Sequence, residues 1–364
     1  MKKIVGTIAA IALAASSAFA GVNVGMGFNR GVFAPFLMQK IGDNTDFYMT
    51  NSASWGWGGP RIGASFSAAS EQVGVVADVK FDGGAVAVND NAYIWVKPTS
   101  WFKMNIGQSF DDTLRGNACF GSWDWLRPGN ILGEDLIFTR VCNNPVGGAW
   151  APLQGAILML DPIEGLHISV GLPTGYGIAA NWEDLISYTQ VQAGYTIADV
   201  AQIKAQWIGI GKNADDEIEG QFEVAASVKA IEGMTLDVGA KFRTVEDAPI
   251  DVAVFWGMPV AGLALNANAL VIIPTADSYD MTLAIGAGVG YDLGNGMGVG
   301  ADVRYSQTFD DVSDPAIAFA AWFDKGIANG TLGVAVQGAT KTGIRDIASS
   351  DFSFAVPVRV QCFF

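Results

Sequence analysis

The chain has a single histidine, His167, two residues before Ser169. A serine nucleophile needs a base within hydrogen-bond reach and a third group to orient that base. Residues i and i+2 of a strand share a face but lie about 6–7 Å apart. The pair therefore reads as a wall or rim histidine beside a serine, not as a catalytic dyad. One histidine and three cysteines at these spacings make no zinc site. Asp215, Asp216, Glu217 and Glu219 could attract calcium, but the spaced ligands and central glycine of a calcium loop are missing. That cluster reads as a solvated acidic rim. The glycines of Gly286–Gly290 alternate along a strand-like run with no helix after them, so they do not form a phosphate loop. No catalytic set, metal or cofactor is expected.

The elements that hold these residues are bounded by composition. The chain has 364 residues, half of them apolar and only 16% charged. Disorder needs low hydrophobicity and high charge, so it is excluded. A coiled coil is excluded because its Ala/Glu/Lys/Leu/Arg enrichment is missing. The 36 acids and 21 bases give −15, which disfavours nucleic acid as a partner. Met1–Lys3 is basic, Ile4–Ala15 is apolar, and Ser16–Ala20 ends small-x-small before Gly21. This is the pattern of a secretory signal peptide, residues 1–20, cleaved after Ala20. Without Lys2 and Lys3 the chain from Gly21 has 19 bases and 36 acids, or −17. Outside the cytoplasm disulfides form. Cys119 and Cys142, with 22 residues between them, are the candidates for one; closing that loop would restrict a mobile segment.

From residue 21 onward the dominant period is two. Phe352, Phe354, Val356, Val358, Val360, Cys362 and Phe364 alternate with Ser353, Ala355, Pro357, Arg359, Gln361 and Phe363. Met234, Leu236, Val238, Ala240 and Phe242 alternate with Thr235, Asp237, Gly239, Lys241 and Arg243. The longest uncharged run, Val252–Ala276, contains Pro259, Pro274 and two asparagines, so it is no spanning helix. Strands of 9–11 residues cross a bilayer when tilted, and these segments have that length. Short turns recur near residues 98–100, 161–165, 198–200, 231–233, 257–262, 293–296 and 324–329. Longer connections separate them, among them Asp111–Ala151. Seven hairpins, a last strand at Phe352–Phe364, and weaker strands at Val22–Phe28, Arg61–Ala68 and Val73–Phe81 give eighteen strands, with sixteen as the lower bound. Trp101, Trp150, Trp182, Trp256 and Trp322 fall near strand ends, where an interfacial girdle would sit. A soluble sandwich or propeller also alternates, but the polar-side positions here are small or charged, as a wet interior requires.

Signal peptide, alternating strands and a terminal Phe364 together resemble the Gram-negative outer-membrane β-barrel proteins, in a porin-like form. The resemblance implies an all-β fold: one transmembrane antiparallel up-and-down β-barrel of 16–18 strands over residues 21–364, with a long external loop at 111–151. It also implies recognition of the terminal strand, ending at Phe364, by the barrel-assembly machinery. Outer-membrane lipids would surround the barrel, and a homotrimer is admitted, since many porins are trimers.

A barrel of this size leaves an aqueous channel. Its lumen-side candidates are Asp78, Lys80, Lys103, Asn105, Lys204, Gln206, Gln221, Glu223, Asp237, Lys241, Asn266, Asn268, Asp280, Asp302, Arg304 and Arg359. In general porins the loop after the fifth strand folds into the barrel. By that resemblance Asp111, Asp112, Asp124, Glu134 and Asp135 would oppose Lys80, Lys204, Lys241 and Arg304 at a constriction. The expected function is passive diffusion of small hydrophilic solutes with weak cation selectivity. A substrate-specific or hydrophobic-compound channel is the first alternative, for which the apolar Gly31–Gln39 segment could fold inward as a short plug. A surface-exposed structural barrel or adhesin is the second.

Overall fold

A computed structural model describes residues 22–26, 29–52, 62–82, 85–114, 153–174, 182–277, 280–341 and 351–362. The expected signal peptide, Cys119, Cys142, Asp124, Glu134, Asp135, Trp150 and Phe364 lie outside these residues.

The alternating segments form β1 (Val22–Met26), β2 (Asn29–Ile41), β3 (Asn44–Ser52), β4 (Ile62–Ala69), β5 (Val73–Asp82), β6 (Ala85–Thr99) and β7 (Phe102–Ser109). Then come β8 (Leu153–Leu160), β9 (Leu166–Pro173), a short helix α1 (Trp182–Ser187), β10 (Gln190–Ile197), β11 (Ala201–Lys212), β12 (Ile218–Val228) and β13 (Thr235–Arg243). The last are β14 (Ile250–Val260), β15 (Leu263–Ile273), β16 (Thr282–Gly294), β17 (Met297–Thr308), β18 (Ala316–Ile327), β19 (Gly330–Thr340) and β20 (Phe352–Cys362). All seven expected hairpins are present, from β6–β7 to β18–β19. Their turns use local chemistry. Asn295 and Gly296 both have positive φ, at 54° and 69°, as a two-residue turn that follows strand twist requires.

Each strand from β4 to β20 pairs antiparallel with its neighbours in sequence, and β20 then pairs with β2. β2 pairs on its other side with β3, while β1 pairs with β4. Because every pairing is antiparallel, β1 must run in the direction of β2, and β3 in the direction of β4. Only residues 27–28 separate β1 from β2. β1–β2 is therefore one wall stave, and β3–β4 its neighbour. The twenty strand segments make eighteen staves, and the circuit of staves closes. Closure leaves an even count, as antiparallel alternation demands.

The sequence reading placed no strands at 29–52, and Gly31–Gln39 is wall, not plug: it lies in β2, hydrogen-bonded to β20 and β3. The alternation is hidden by a register shift between Phe33 and Phe36, a β-bulge that puts Ala34 and Leu37 on the same buried face.

The two faces are the reverse of those in a soluble protein. On β17, Asp302 and Arg304 are buried, whereas Val303 between them is 50% exposed. On β18, Ala318 and Ala320 are buried while Ile317, Phe319 and Phe323 are exposed. An apolar circumference of this kind needs hydrocarbon around it, so the fold is a transmembrane β-barrel. One member of the expected girdle is corrected. Trp322 shares the inward face of Ala318 and Ala320 and lies over Gly300, where the absence of a Cβ leaves room for the indole. Trp101 is exposed at the β6–β7 turn, and Trp256, on the outward set of β14 and opposite Leu236, lies towards the same short-turn end.

The inside-out face makes a direct expectation. Val303→Lys, mid-strand on the lipid side, should destabilise the barrel by about 2–4 kcal/mol in urea refolding into lipid vesicles. The purified chain should also show heat-modifiable gel migration and a β-rich circular dichroism spectrum in detergent. A water-soluble, detergent-independent monomer would contradict the fold.

Candidate functional site

The inward positions of neighbouring staves carry polar and charged side chains at matching levels, because cross-strand partners share a face. Gln206 of β11 stands opposite Glu223 of β12, Glu223 opposite Lys241 of β13, and Lys241 opposite Asp251 of β14. Lys241 Nζ lies 2.8 Å from Asp251 Oδ2. The Arg243 guanidinium grips the same carboxylate from two sides, at 2.7 and 3.2 Å. Asp251 is only 1% exposed, so its charge is viable there because two cations hold it. Gln221 donates to Glu223 and Gln192 donates to Gln206, continuing the polar wall. On the far side, Asp302 and Arg304 occupy β17, and Arg359 of β20 pairs with Asp324 of β18.

The inner wall is not uniformly polar. Ala253, Leu270 and Ala284 form a buried cluster on β14–β16, with Phe255 and Ile272 against it. Ile157 and Met159 of β8 form another.

After Ser109 the chain does not leave the barrel. Counting staves, β7 is the fifth, so this is the connection expected to turn inward. Asp111 and Leu114 are buried, at 5% and 2% exposure, while Asp112 is exposed. Asp111 Oδ1 accepts hydrogen bonds from the Thr113 backbone N–H and hydroxyl, a local Asx turn. Its other oxygen lies 2.7 Å from His167 Nε2. His167 Nδ1 lies 2.7 Å from Asp161 Oδ1, in the β8–β9 turn. The Leu114 side chain packs on Gly194 of β10, where an added Cβ would come within 2.7 Å of it. The Leu114 carbonyl accepts from Lys204 Nζ at 2.8 Å. A cavity of about 500 Å³ adjoins Thr113 and Leu114, bounded by Ser100, Trp101 and the 161–165 turn. Residues 111–114 therefore cross the inner face of β9, β10 and β11 at the short-turn end of the barrel.

Electrostatics fit this seat. Burial alone would raise the Asp111 carboxyl, but the hydrogen bonds from His167 and Thr113 outweigh it and hold the group down to about 2. On the acid side, the carboxylate's share of the anchoring is complete above the ordinary carboxylate range and is lost as pH falls towards that value. Both ring nitrogens of His167 face carboxylates, and among the described residues Ser169 Oγ has no partner, so these two side chains are not paired.

Of the proposed constriction residues, the structure brings Asp111 and Lys204 to one surface, with Asp112 beside them. Lys80 lies on β5, Lys241 is held by Asp251, and Arg304 lies on β17, so these are spread round the wall. Asp280 precedes β16 and is exposed. Cys362, on the outward set of β20, is a free thiol. Sequence reasoning missed Asp161 and Asp251. Each sits close in sequence to a basic partner, Asp161 six residues before His167 and Asp251 eight after Arg243, and such spacing across a hairpin is the signal that could have found them.

Asp251→Ala would strand Lys241 and Arg243 in the wall and should destabilise the barrel by about 3–5 kcal/mol. The double change Lys241→Met, Asp251→Leu should recover most of that loss in the same urea titration. An unchanged midpoint for Asp251→Ala would show that the cations are solvated by lumen water instead.

No protein-family model matches the chain, and no curated protein matches it by sequence. Solved structures do match its fold. OccK11 (OpdR) of Pseudomonas aeruginosa aligns over 94% of this chain and 96% of its own, at 10% identity and a TM-score of 0.54. The anion-selective porin of Comamonas acidovorans covers 94% of this chain and 100% of its own, at 8% identity and a TM-score of 0.49. OmpT of Vibrio cholerae covers 95% and 99%, at 11% identity and a TM-score of 0.47. The architecture built above, a closed antiparallel barrel with a polar inner wall, is the fold that the chain shares with OccK11.

Proposed function

We propose that the chain is a passive diffusion porin for small hydrophilic solutes, resident in the bacterial outer membrane. The observation that carries this reading is the inner wall. An eighteen-stave barrel is wide enough for water, and its inward set is charged and hydrogen-bonding, from Lys204 and Glu223 round to Arg304 and Arg359. Residues 111–114 fold onto that wall, which supports the reading of this connection as the one that narrows the pore. Asp111 and Asp112 stand on the narrowing segment, Asp124, Glu134 and Asp135 follow it in sequence, and Lys80, Lys204, Lys241 and Arg304 line the wall. Opposed charges across a narrow lumen order water and disfavour apolar solutes. The negative balance of the chain favours cations weakly.

The remaining parts of this reading rest on the sequence and on its resemblance to porins. A leader of residues 1–20 directs export, the assembly machinery reads Phe364, and a Cys119–Cys142 disulfide closes the long connection. The subunits associate as a homotrimer. A second reading, a channel for compounds with an apolar portion, has one observation in its favour: the Ala253–Leu270–Ala284 cluster with Phe255 on the inner face.

Single-channel recording of purified protein in a planar bilayer tests the main reading. Ohmic steps and a reversal potential of the cation-selective sign are expected in a salt gradient. Deleting Gly121–Pro145 should raise the conductance and admit larger sugars in a liposome-swelling assay. Absence of conductance would remove the porin reading, and an unchanged size cutoff would remove the constriction. Mass mapping without reductant should show the Cys119–Cys142 crosslink; alkylation of both in native protein would contradict it.

A further inference from the structure

We propose that His167 is a proton-controlled latch that holds residues 111–114 against the barrel wall. The proposal rests on the constriction reading above, since it assigns the regulation of that narrowing.

The argument is one of hydrogen-bond valence. His167 Nε2 meets Asp111 Oδ2 and His167 Nδ1 meets Asp161 Oδ1, each at 2.7 Å. A carboxylate can only accept, and a neutral imidazole has one N–H. Both contacts are made together only when the ring carries two protons. Loss of one proton sets a ring lone pair against a carboxylate lone pair, either at the buried Asp111 contact, where the mismatch is poorly screened, or at Asp161, whose side chain is 58% exposed, and in each case the bridge between turn and segment is broken. The two carboxylates belong to different parts of the chain. Asp161 sits in the β8–β9 turn and Asp111 on the inward segment, so one ring joins a fixed element to a placed one.

The other charged groups around the ring fit the same reading. Glu164, in the turn, lines the same cavity as His167. Lys103 of β7 faces Asp111, and Lys204 of β11 places its ammonium on the Leu114 carbonyl. Asp112 adjoins Asp111 in sequence and is exposed. The Asp111 oxygen that does not meet His167 is committed to Thr113. When the histidine contact fails, the segment therefore loses a wall tie and not its local turn. The latched state is the protonated one. Raising the pH through the titration of this one ring unlatches the segment, and conductance rises.

His167 is the only histidine in the sequence, so a single imidazole signal reports the latch. In histidine-¹⁵N-labelled protein in detergent micelles, that signal and the bilayer conductance are followed together from about pH 5 to 9, the range in which histidine changes charge. The two transitions should coincide, with conductance higher on the alkaline side. Asp161→Asn, in an exposed turn position that the fold tolerates, should move the conductance transition to lower pH. His167→Gln should show the higher conductance at every pH. Heat-modifiable migration checks that both variants fold, and Asp161→Asn suffices if His167→Gln does not. A ring that titrates while conductance stays flat overturns the latch, as does an unaltered profile in Asp161→Asn. The Gly121–Pro145 deletion separates the two claims. If it widens the pore while the pH profile of the intact chain is flat, the constriction stands and the latch falls. If it changes nothing, the constriction itself fails.

Discussion

In hydrocarbon no water is available to satisfy a backbone N–H or C=O, so every one must find a partner within the protein. A sheet meets that demand only by closing on itself. Closure explains features that look incidental when taken alone. The N-terminal stave is assembled from β1 and β2, and the next from β3 and β4, because the first and last staves must meet. β20 then finds β2 and completes the ring. Alternating direction with closure fixes an even number of staves, which in turn sets a width too great for the wall side chains to fill on their own. The polar interior follows from that width.

The same constraint sorts the side chains. Positions i and i+1 of each stave face lipid and lumen, so a charge displaced by one residue would stand in hydrocarbon. Asp302 and Arg304 flank Val303 in that strict order. Within the lumen, charges are matched across staves: Lys241 and Arg243 on β13 converge on Asp251 of β14. A buried ion group of this sort contributes little as a whole, yet it is costly to break by halves. Lys241 and Asp251 are direct cross-strand partners, so a shifted register of β13 against β14 would break the group.

The inward segment draws on both devices. Leu114 needs a wall without a side chain, and Gly194 provides it. Asp111 needs donors, and Thr113 and His167 provide them. The segment crosses three staves at the end where the short turns lie, and its seat combines apolar packing with one charged contact. The large lipid-facing surface contributes membrane residence and nothing to selectivity.

The features legible in the residues alone are the local ones. Period-two alternation and turn residues such as Asn295–Gly296 need only neighbouring positions, and they located all seven hairpins, β20 and the lumen parity of Lys204, Glu223, Asp237, Lys241, Asp302, Arg304 and Arg359. The count of eighteen was legible for the same reason, since the weak strands found at Val22, Arg61 and Val73 each mark one stave. β2 and β3 were not legible. The bulge at Phe33–Phe36 breaks the period, and Asn44–Met49 is exposed on both faces, so neither strand shows a one-sided pattern. Only the tertiary structure decided where Asp111 goes. Its partner, His167, lies 56 residues away in sequence, and their meeting depends on chain closure across three staves. Periodicity reports which face a residue takes within its own strand; it carries no information about which distant strand will lie opposite.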